Sequence, residues 1–163
     1  IEMGEKLWDT IWEAGKKFNI SPGCPNLIDR IEGGLMSYGN DFTGENNPFE
    51  CNLEKYCKDD VSHDFIGKEA LTKIKNEGVK QKMMGIIFDR YTCKTTGRPI
   101  KVLTKNNKKI WQIISWIFDK KKKKNIGLSM ILKEYWNIGE SVFVQTLDGE
   151  KRNGTITSLP FPD

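Results

Sequence analysis

The chain has 163 residues, of which 37% are hydrophobic and 29% are charged, and its formal net charge is +4 at pH 7. No apolar run approaches the roughly 20 residues that a helix needs to cross a bilayer, and the N-terminal stretch has no signal-peptide pattern. We therefore expect a cytoplasmic protein without a membrane partner. Four cysteines at irregular spacings and a single histidine, His63, favour free thiols over a zinc site or a disulfide framework, so no metal is expected.

The first predicted element is an amphipathic helix from Gly4 to Phe18. Apolar side chains recur in it at helical spacing, with charged residues on the other face. Trp8 and Trp12 lie four residues apart and therefore share one face. They could form a stacking platform, but we favour packing in the protein core.

A short helix, two turns and a strand are predicted next. The helix runs from Pro25 to Glu32 and ends at Gly33 and Gly34; its apolar face is formed by Leu27, Ile28 and Ile31. Turns follow at 39–41 and at 46–48, where Gly, Asn, Asp and Pro cluster. Residues 49–53, Phe-Glu-Cys-Asn-Leu, are predicted to be extended.

A further helix is predicted from Asp64 to Glu77, with Ala70, Leu71 and Ile74 on its buried side and Gly78 as its C-terminal stop. The charge balance changes sign here. Residues 1–78 hold 9 Lys and Arg against 15 Asp and Glu, a net charge of −6, whereas residues 79–163 hold 17 against 7, a net charge of +10. We therefore predict a domain boundary at Gly78, which divides the chain into 1–78 and 79–163.

The second half of the chain changes to short strands. Regular short strands separated by Gly, Asn and Asp turns are typical of a small antiparallel barrel. Six segments have this character: 83–88, 99–103, 109–115, 126–131, 141–146 and 154–159. The predicted fold class is therefore α+β, with a helical first part and a six-stranded antiparallel β-barrel.

A run of five lysines, Lys120 to Lys124, is the strongest charge feature of the sequence. Such a run can bind nucleic acid phosphates or an anionic membrane. Lysine blocks in exposed turns are more often only solvated, so we do not expect a nucleic acid partner.

Four linked blocks carry a family resemblance: Arg-Ile-Glu-Gly-Gly-Leu, Tyr-Gly-Asn-Asp, Asn-Pro-Phe-Glu and Phe-Ile-Gly-Lys-Glu-Ala-Leu. In this order and spacing they resemble the back half of the folate-binding domain of the aminomethyltransferase family. That family includes the glycine cleavage T-protein and the folate-dependent dimethylsulfoniopropionate demethylases. The later Asn-Ile-Gly-Leu-Ser and Leu-Asp-Gly-Glu segments resemble the family's C-terminal barrel.

The resemblance implies a transferase that passes a one-carbon unit from a small-molecule methyl or aminomethyl donor to tetrahydrofolate. The T-protein usually has an arginine four residues before the position of Arg30, where this chain has Asn26. Together with the preceding Gly-Cys-Pro this difference resembles the demethylase branch, whose sulfonium donor is positively charged and a good leaving group. The alternatives are the glycine cleavage aminomethyltransferase and, in another class, a non-catalytic module that binds folate or nucleic acid.

The resemblance also implies which residues bind the cofactor and where the chemistry lies. Asn26, Arg30 and Tyr38 are the expected tetrahydrofolate-binding residues, while the acid and aromatic residues of catalysis are expected upstream of Ile1, so that this chain alone is inactive. Arg30 has a second possible role, an ion pair that holds two elements together, and we favour that role.

The barrel departs from the family pattern in one segment. Trp111 and Trp116 stand where relatives usually have Gly, which predicts either a reshaped barrel mouth or strain.

Overall fold

The computed structural model describes residues 3–23, 26–57, 64–89, 91–92 and 98–162. Three α-helices precede the barrel: α1 (Gly4–Gly15), α2 (Leu27–Glu32) and α3 (Lys68–Glu77). Three short 3₁₀ turns complete the helical elements. They lie after α1 (Lys16–Phe18), between α2 and α3 (Glu54–Tyr56) and inside the barrel sequence (Lys133–Tyr135). His63, Cys24, Pro25 and Cys93 lie outside the described residues.

The six strands close into one antiparallel barrel, which confirms the predicted α+β class. The strands are β1 (Gln81–Phe88), β2 (Ile100–Leu103), β3 (Lys109–Asp119), β4 (Lys124–Leu132), β5 (Ser141–Gln145) and β6 (Lys151–Thr157). Their order around the barrel is β1-β4-β3-β2-β5-β6, and pairing of β1 with β6 completes the ring. Because closure pairs every strand on both sides, the barrel leaves no open sheet edge.

The barrel interior holds the larger hydrophobic core, in which Trp116 is 2% exposed. Trp116 on β3 lies opposite Gly127 on β4. A Cβ atom on Gly127 would lie 2.6 Å from Ile113 Cγ2 and 3.1 Å from Trp116 Cβ. Gly127 therefore leaves room for Ile113 and for the Trp116 side chain at the point where it leaves the backbone.

A second core lies outside the barrel and joins it to the first part of the chain. Ile31 of α2 and Cys51 pack there with Met83 and with Phe161 near the C-terminus. Burial and the nearby charge of Glu50 raise the pKa of the Cys51 thiol to about 11, so this thiol stays protonated at neutral pH.

Gly78, with φ of 76°, ends α3 just before β1. The domain division at Gly78 stays a prediction.

Residues 49–53 are not extended, which corrects the predicted strand. Asn47 Oδ1 accepts hydrogen bonds from the backbone N–H groups of Phe49 and Glu50, each at 3.1 Å, and Leu53 N–H donates to Pro48 O. Asn52 takes a positive φ of 55°. An asparagine side chain that bonds forward to the backbone thus closes a chain of turns and overrides the strand propensity of Phe49 and Cys51.

The burial predicted for two helices is also wrong in part. On α3, Leu71 and Ile74 are half-buried, but Ala70 is exposed. On α1, Trp8 is 54% exposed and stacks on the half-buried Trp12, with ring centroids 6.1 Å apart, so the expected core packing is wrong for Trp8. The helical pattern identifies the apolar face correctly, but burial of that face depends on an element that covers it.

No helix among the described residues combines the length and apolar character needed to cross a membrane.

Candidate functional site

The family-like blocks meet the barrel at Arg30, which stands at the centre of a hydrogen-bond network. Its guanidinium donates to Leu35 O, to Asp41 Oδ2 and to Ser115 Oγ, each at 2.8 Å. The Arg30 side chain is 22% exposed and that of Asp41 is 1% exposed. The ion pair that we favoured for Arg30 is therefore present, and it extends to a serine of β3 that is 85 positions away.

The turn after α2 supplies the other members of this network. Gly39, with φ of 80°, closes the turn by donating its N–H to Phe42 O at 2.8 Å. This geometry places Asp41 so that its Oδ2 also accepts the N–H of Ser37, and it lets Asn40 Nδ2 donate to Ser115 Oγ at 2.9 Å. We call Arg30, Ser37, Asn40, Asp41 and Ser115 the junction cluster.

The second carboxylate oxygen of Asp41, Oδ1, differs from Oδ2 in its surroundings. This oxygen is buried and has no hydrogen-bond partner within the described residues. A buried carboxylate depends on its positive partner, because an uncompensated charge in the interior is costly. The junction cluster therefore relies on Arg30 for its stability.

The three predicted cofactor-binding residues occupy different surroundings. Asn26 caps α2: its Oδ1 accepts the N–H of Asp29 at 2.9 Å, and its Nδ2 donates to Asp29 Oδ2 at 2.8 Å. Tyr38 is 71% exposed, and its ring meets Phe42 edge-on at 5.5 Å. Arg30 alone of the three is a member of the junction cluster. The exposed groups of Asn26 and Tyr38 leave their outer faces open to a ligand.

The first four lysines of the run, Lys120 to Lys123, form the hairpin turn between β3 and β4, and Lys124 is the first residue of β4. Asp119 Oδ1 accepts the N–H groups of Lys121 and Lys122 at 2.7 and 3.1 Å, which fixes the turn. Lys122 Nζ donates to the backbone carbonyl of Pro162, while the neighbouring lysines are exposed. Sequence reasoning did not foresee the roles of Ser115 and Asp119, although both lie in the segment that departs from the family pattern.

A cavity of about 530 Å³ lies apart from the predicted site residues. It opens between α3, the turns at 49–54 and β1, and its walls include Phe49, Ile74, Met83, Trp136 and Leu159. None of Asn26, Arg30 and Tyr38 lines it. Within the described ranges, no group of three or more His, Cys, Asp or Glu side chains is arranged to hold a metal ion.

The fold of this chain matches part of a solved aminomethyltransferase structure. The structure of the glycine cleavage system aminomethyltransferase T from Bartonella henselae superposes with a TM-score of 0.70 over 82% of this chain and 37% of that one, at 22% sequence identity. An α+β segment joined to a closed six-stranded barrel is thus the fold shared with that enzyme.

Sequence comparisons agree with the fold. Residues 1–60 match the family model described as the GCVT N-terminal domain. The dimethylsulfoniopropionate demethylase of Ruegeria pomeroyi is 33% identical over 150 residues, which cover 91% of this chain and 40% of the demethylase. An aminomethyltransferase of Thermoanaerobacter sp. (strain X514) is 34% identical over 139 residues, which cover 84% of this chain and 37% of that protein. The chain belongs to the aminomethyltransferase family and spans about two fifths of the length of these relatives.

Proposed function

We propose that this chain is part of a tetrahydrofolate-dependent one-carbon transferase and supplies the back of its folate-binding domain and its C-terminal barrel. The observation that carries the proposal is the agreement between family matches that run from residue 1 through the barrel and a fold shared with an aminomethyltransferase. The chemical step would use acid and aromatic residues in the part of the relatives' sequences that this chain does not match.

The donor that we propose is dimethylsulfoniopropionate or a related methylated sulfonium. The 33% identity to the Ruegeria pomeroyi demethylase over 91% of the chain supports this choice, as do Asn26 and the Gly-Cys-Pro that precedes it. The second candidate is aminomethyl transfer, as in the glycine cleavage system. The 34% identity to an aminomethyltransferase supports that candidate to the same degree.

A non-catalytic module that binds folate or nucleic acid is the alternative in another class. Its support is the exposed lysine turn and the departure of β3 from the family pattern. The turn is already ordered by Asp119, and Lys122 bonds to the Pro162 carbonyl, so at least one lysine has a role within the chain. We therefore propose tetrahydrofolate and the small donor as the partners, and not nucleic acid.

Asn26, Arg30 and Tyr38 are the residues that we propose for contact with tetrahydrofolate. The exposed phenol ring of Tyr38 offers an aromatic face for the flat pterin ring, and the amide of Asn26 stands exposed at the start of α2. Arg30 would also hold the turn that presents Tyr38, because Leu35, Asp41 and Ser115 take three of the five N–H donors of its guanidinium.

Replacing Tyr38 with Ala tests this proposal on the chain itself. We expect the change to weaken tetrahydrofolate binding about fivefold, because loss of an aromatic contact costs about 1 kcal/mol. Titration followed by tryptophan fluorescence or calorimetry measures the Kd.

The matched control is Tyr56→Ala, since Tyr56 is 73% exposed against 71% for Tyr38 but lies in the 3₁₀ turn at Glu54–Tyr56. We expect this control to bind as the unaltered chain does. Equal affinities of the two variants, or no saturable binding by the unaltered chain, would contradict the assignment of Tyr38.

A further inference from the structure

The carboxylate of Asp119, at the end of β3, is buried. The residue is 1% exposed, and its Oδ1 accepts the two backbone N–H groups of the lysine turn. Its Oδ2 is buried and meets no donor among the described residues. A buried acceptor without a donor is rare in folded proteins and costs stability, so we expect a hydrogen-bond donor to Oδ2 nearby.

Glu32, the last residue of α2, is held near Asp119, because its backbone carbonyl accepts the N–H of Phe161 while Lys122, in the turn that Asp119 fixes, binds the carbonyl of the next residue, Pro162. Burial raises the pKa of the Glu32 carboxyl, and the hydrogen bond to Asp119 and the charge of Asp119 raise it further. The positive charges of Lys122 and Lys121 lower the pKa of Glu32. Two adjacent carboxyl groups cannot both ionise without strong repulsion, so one of them tends to keep its proton.

We propose that Glu32 keeps a proton and donates it to Asp119 Oδ2, and that this shared proton is a pH-dependent latch between α2 and the barrel. The position of the pair supports a latch. The backbone carbonyl of Glu32 accepts the N–H of Phe161 at 3.0 Å, and Lys122 Nζ binds the carbonyl of Pro162. One carboxyl pair thus lies where α2, the lysine turn and the C-terminal tail meet.

The direction of the pH effect follows from the raised pKa of Glu32. The pKa of Glu32 is higher in the folded chain than its ordinary value of 4.5, so the folded state binds this proton more tightly than the unfolded state does. The stabilisation is therefore complete below about pH 4.5 and is lost as the pH rises through the raised pKa. The charged groups that face Glu32 are Asp119, Lys121 and Lys122. Asp163, which follows the tail, lies outside the described residues.

Glu32→Gln separates this latch from the other pH effects in the chain. The amide donates to Asp119 Oδ2 at every pH and carries no charge, so the variant should not lose the latch on alkalinisation. In thermal melts at about pH 7.5 we expect its Tm to exceed that of the unaltered chain by about 2–4 °C. At about pH 4 the two Tm values should converge.

Two controls make the test specific. Glu45→Gln removes an exposed glutamate charge elsewhere, and Asp163→Asn removes the carboxyl next to the tail; neither should change the pH dependence. Melts of Glu32→Gln that run parallel to those of the unaltered chain at all pH values would overturn the proposal.

A direct titration keeps the proposal testable if Glu32→Gln folds poorly. In carboxyl ¹³C NMR of the unaltered chain, the pKa of Glu32 should lie above its ordinary value of 4.5. In Asp119→Asn, whose side chain can still accept the two turn N–H groups, its pKa should fall back toward that range. An ordinary pKa for Glu32 in the unaltered chain would refute the shared proton.

Discussion

Replacing Trp116 with Ala should lower the free energy of unfolding by about 3–5 kcal/mol, the range for removing a large buried aromatic side chain. Trp116 is 2% exposed in the barrel core, and it faces Gly127, which has no side chain to fill the space left behind. The cavity would therefore stay open. Urea or thermal unfolding followed by far-UV circular dichroism measures the loss.

The matched control for this change is Trp8→Ala. The two variants remove the same side chain, but Trp8 is 54% exposed on α1, so its loss should cost less than about 1 kcal/mol. Trp116→Phe should lie between the two, because it keeps most of the ring and removes the buried indole N–H, which has no partner among the described residues. Similar costs for Trp116→Ala and Trp8→Ala would contradict the packing described for the barrel.

Replacing Arg30 with Met should destabilise the chain by about 3 kcal/mol, since it leaves the Asp41 carboxylate buried without its positive partner. The same change removes a donor from Ser115 and another from Leu35 O. Denaturant unfolding measures the cost, and Arg98→Met, at an exposed position, is the control.

A second variant separates the ion pair from other effects of Arg30. Arg30→Met combined with Asp41→Leu removes both charges, so it should recover part of the stability that the single change loses. A Tm for Arg30→Met equal to that of the unaltered chain, together with lost tetrahydrofolate affinity, would show that Arg30 serves the ligand and not the junction.

The barrel could be predicted from the sequence because its signals are local. Alternating apolar residues and turns such as Asp148-Gly149, where Gly149 has φ of 87°, define strands without reference to the rest of the chain. Residues 49–53 were mispredicted because side-chain bonds from Asn47 decide their backbone, and strand propensity does not include such bonds.

Long-range pairing explains what sequence reasoning missed at the site. An acid partner for Arg30 could be anticipated, since an arginine in an apolar helix needs one, and Asp41 lies only 11 positions away. Ser115 and Asp119 could not be anticipated, because their contacts with α2 depend on how β3 lies against that helix. The exposure of Trp8 has the same origin, since periodicity identifies a face but not what covers it.

The most direct test of the proposed function is a transfer assay on a chimera. The part of the Ruegeria pomeroyi demethylase that precedes its match to this chain would be joined to residues 1–163, and methyl transfer to tetrahydrofolate would be followed with dimethylsulfoniopropionate and, separately, with an aminomethyl donor. We expect tetrahydrofolate-dependent turnover with the sulfonium and none by the isolated chain. A chimera that unfolds cooperatively, and so is folded, yet transfers a one-carbon unit from neither donor would contradict the proposed function.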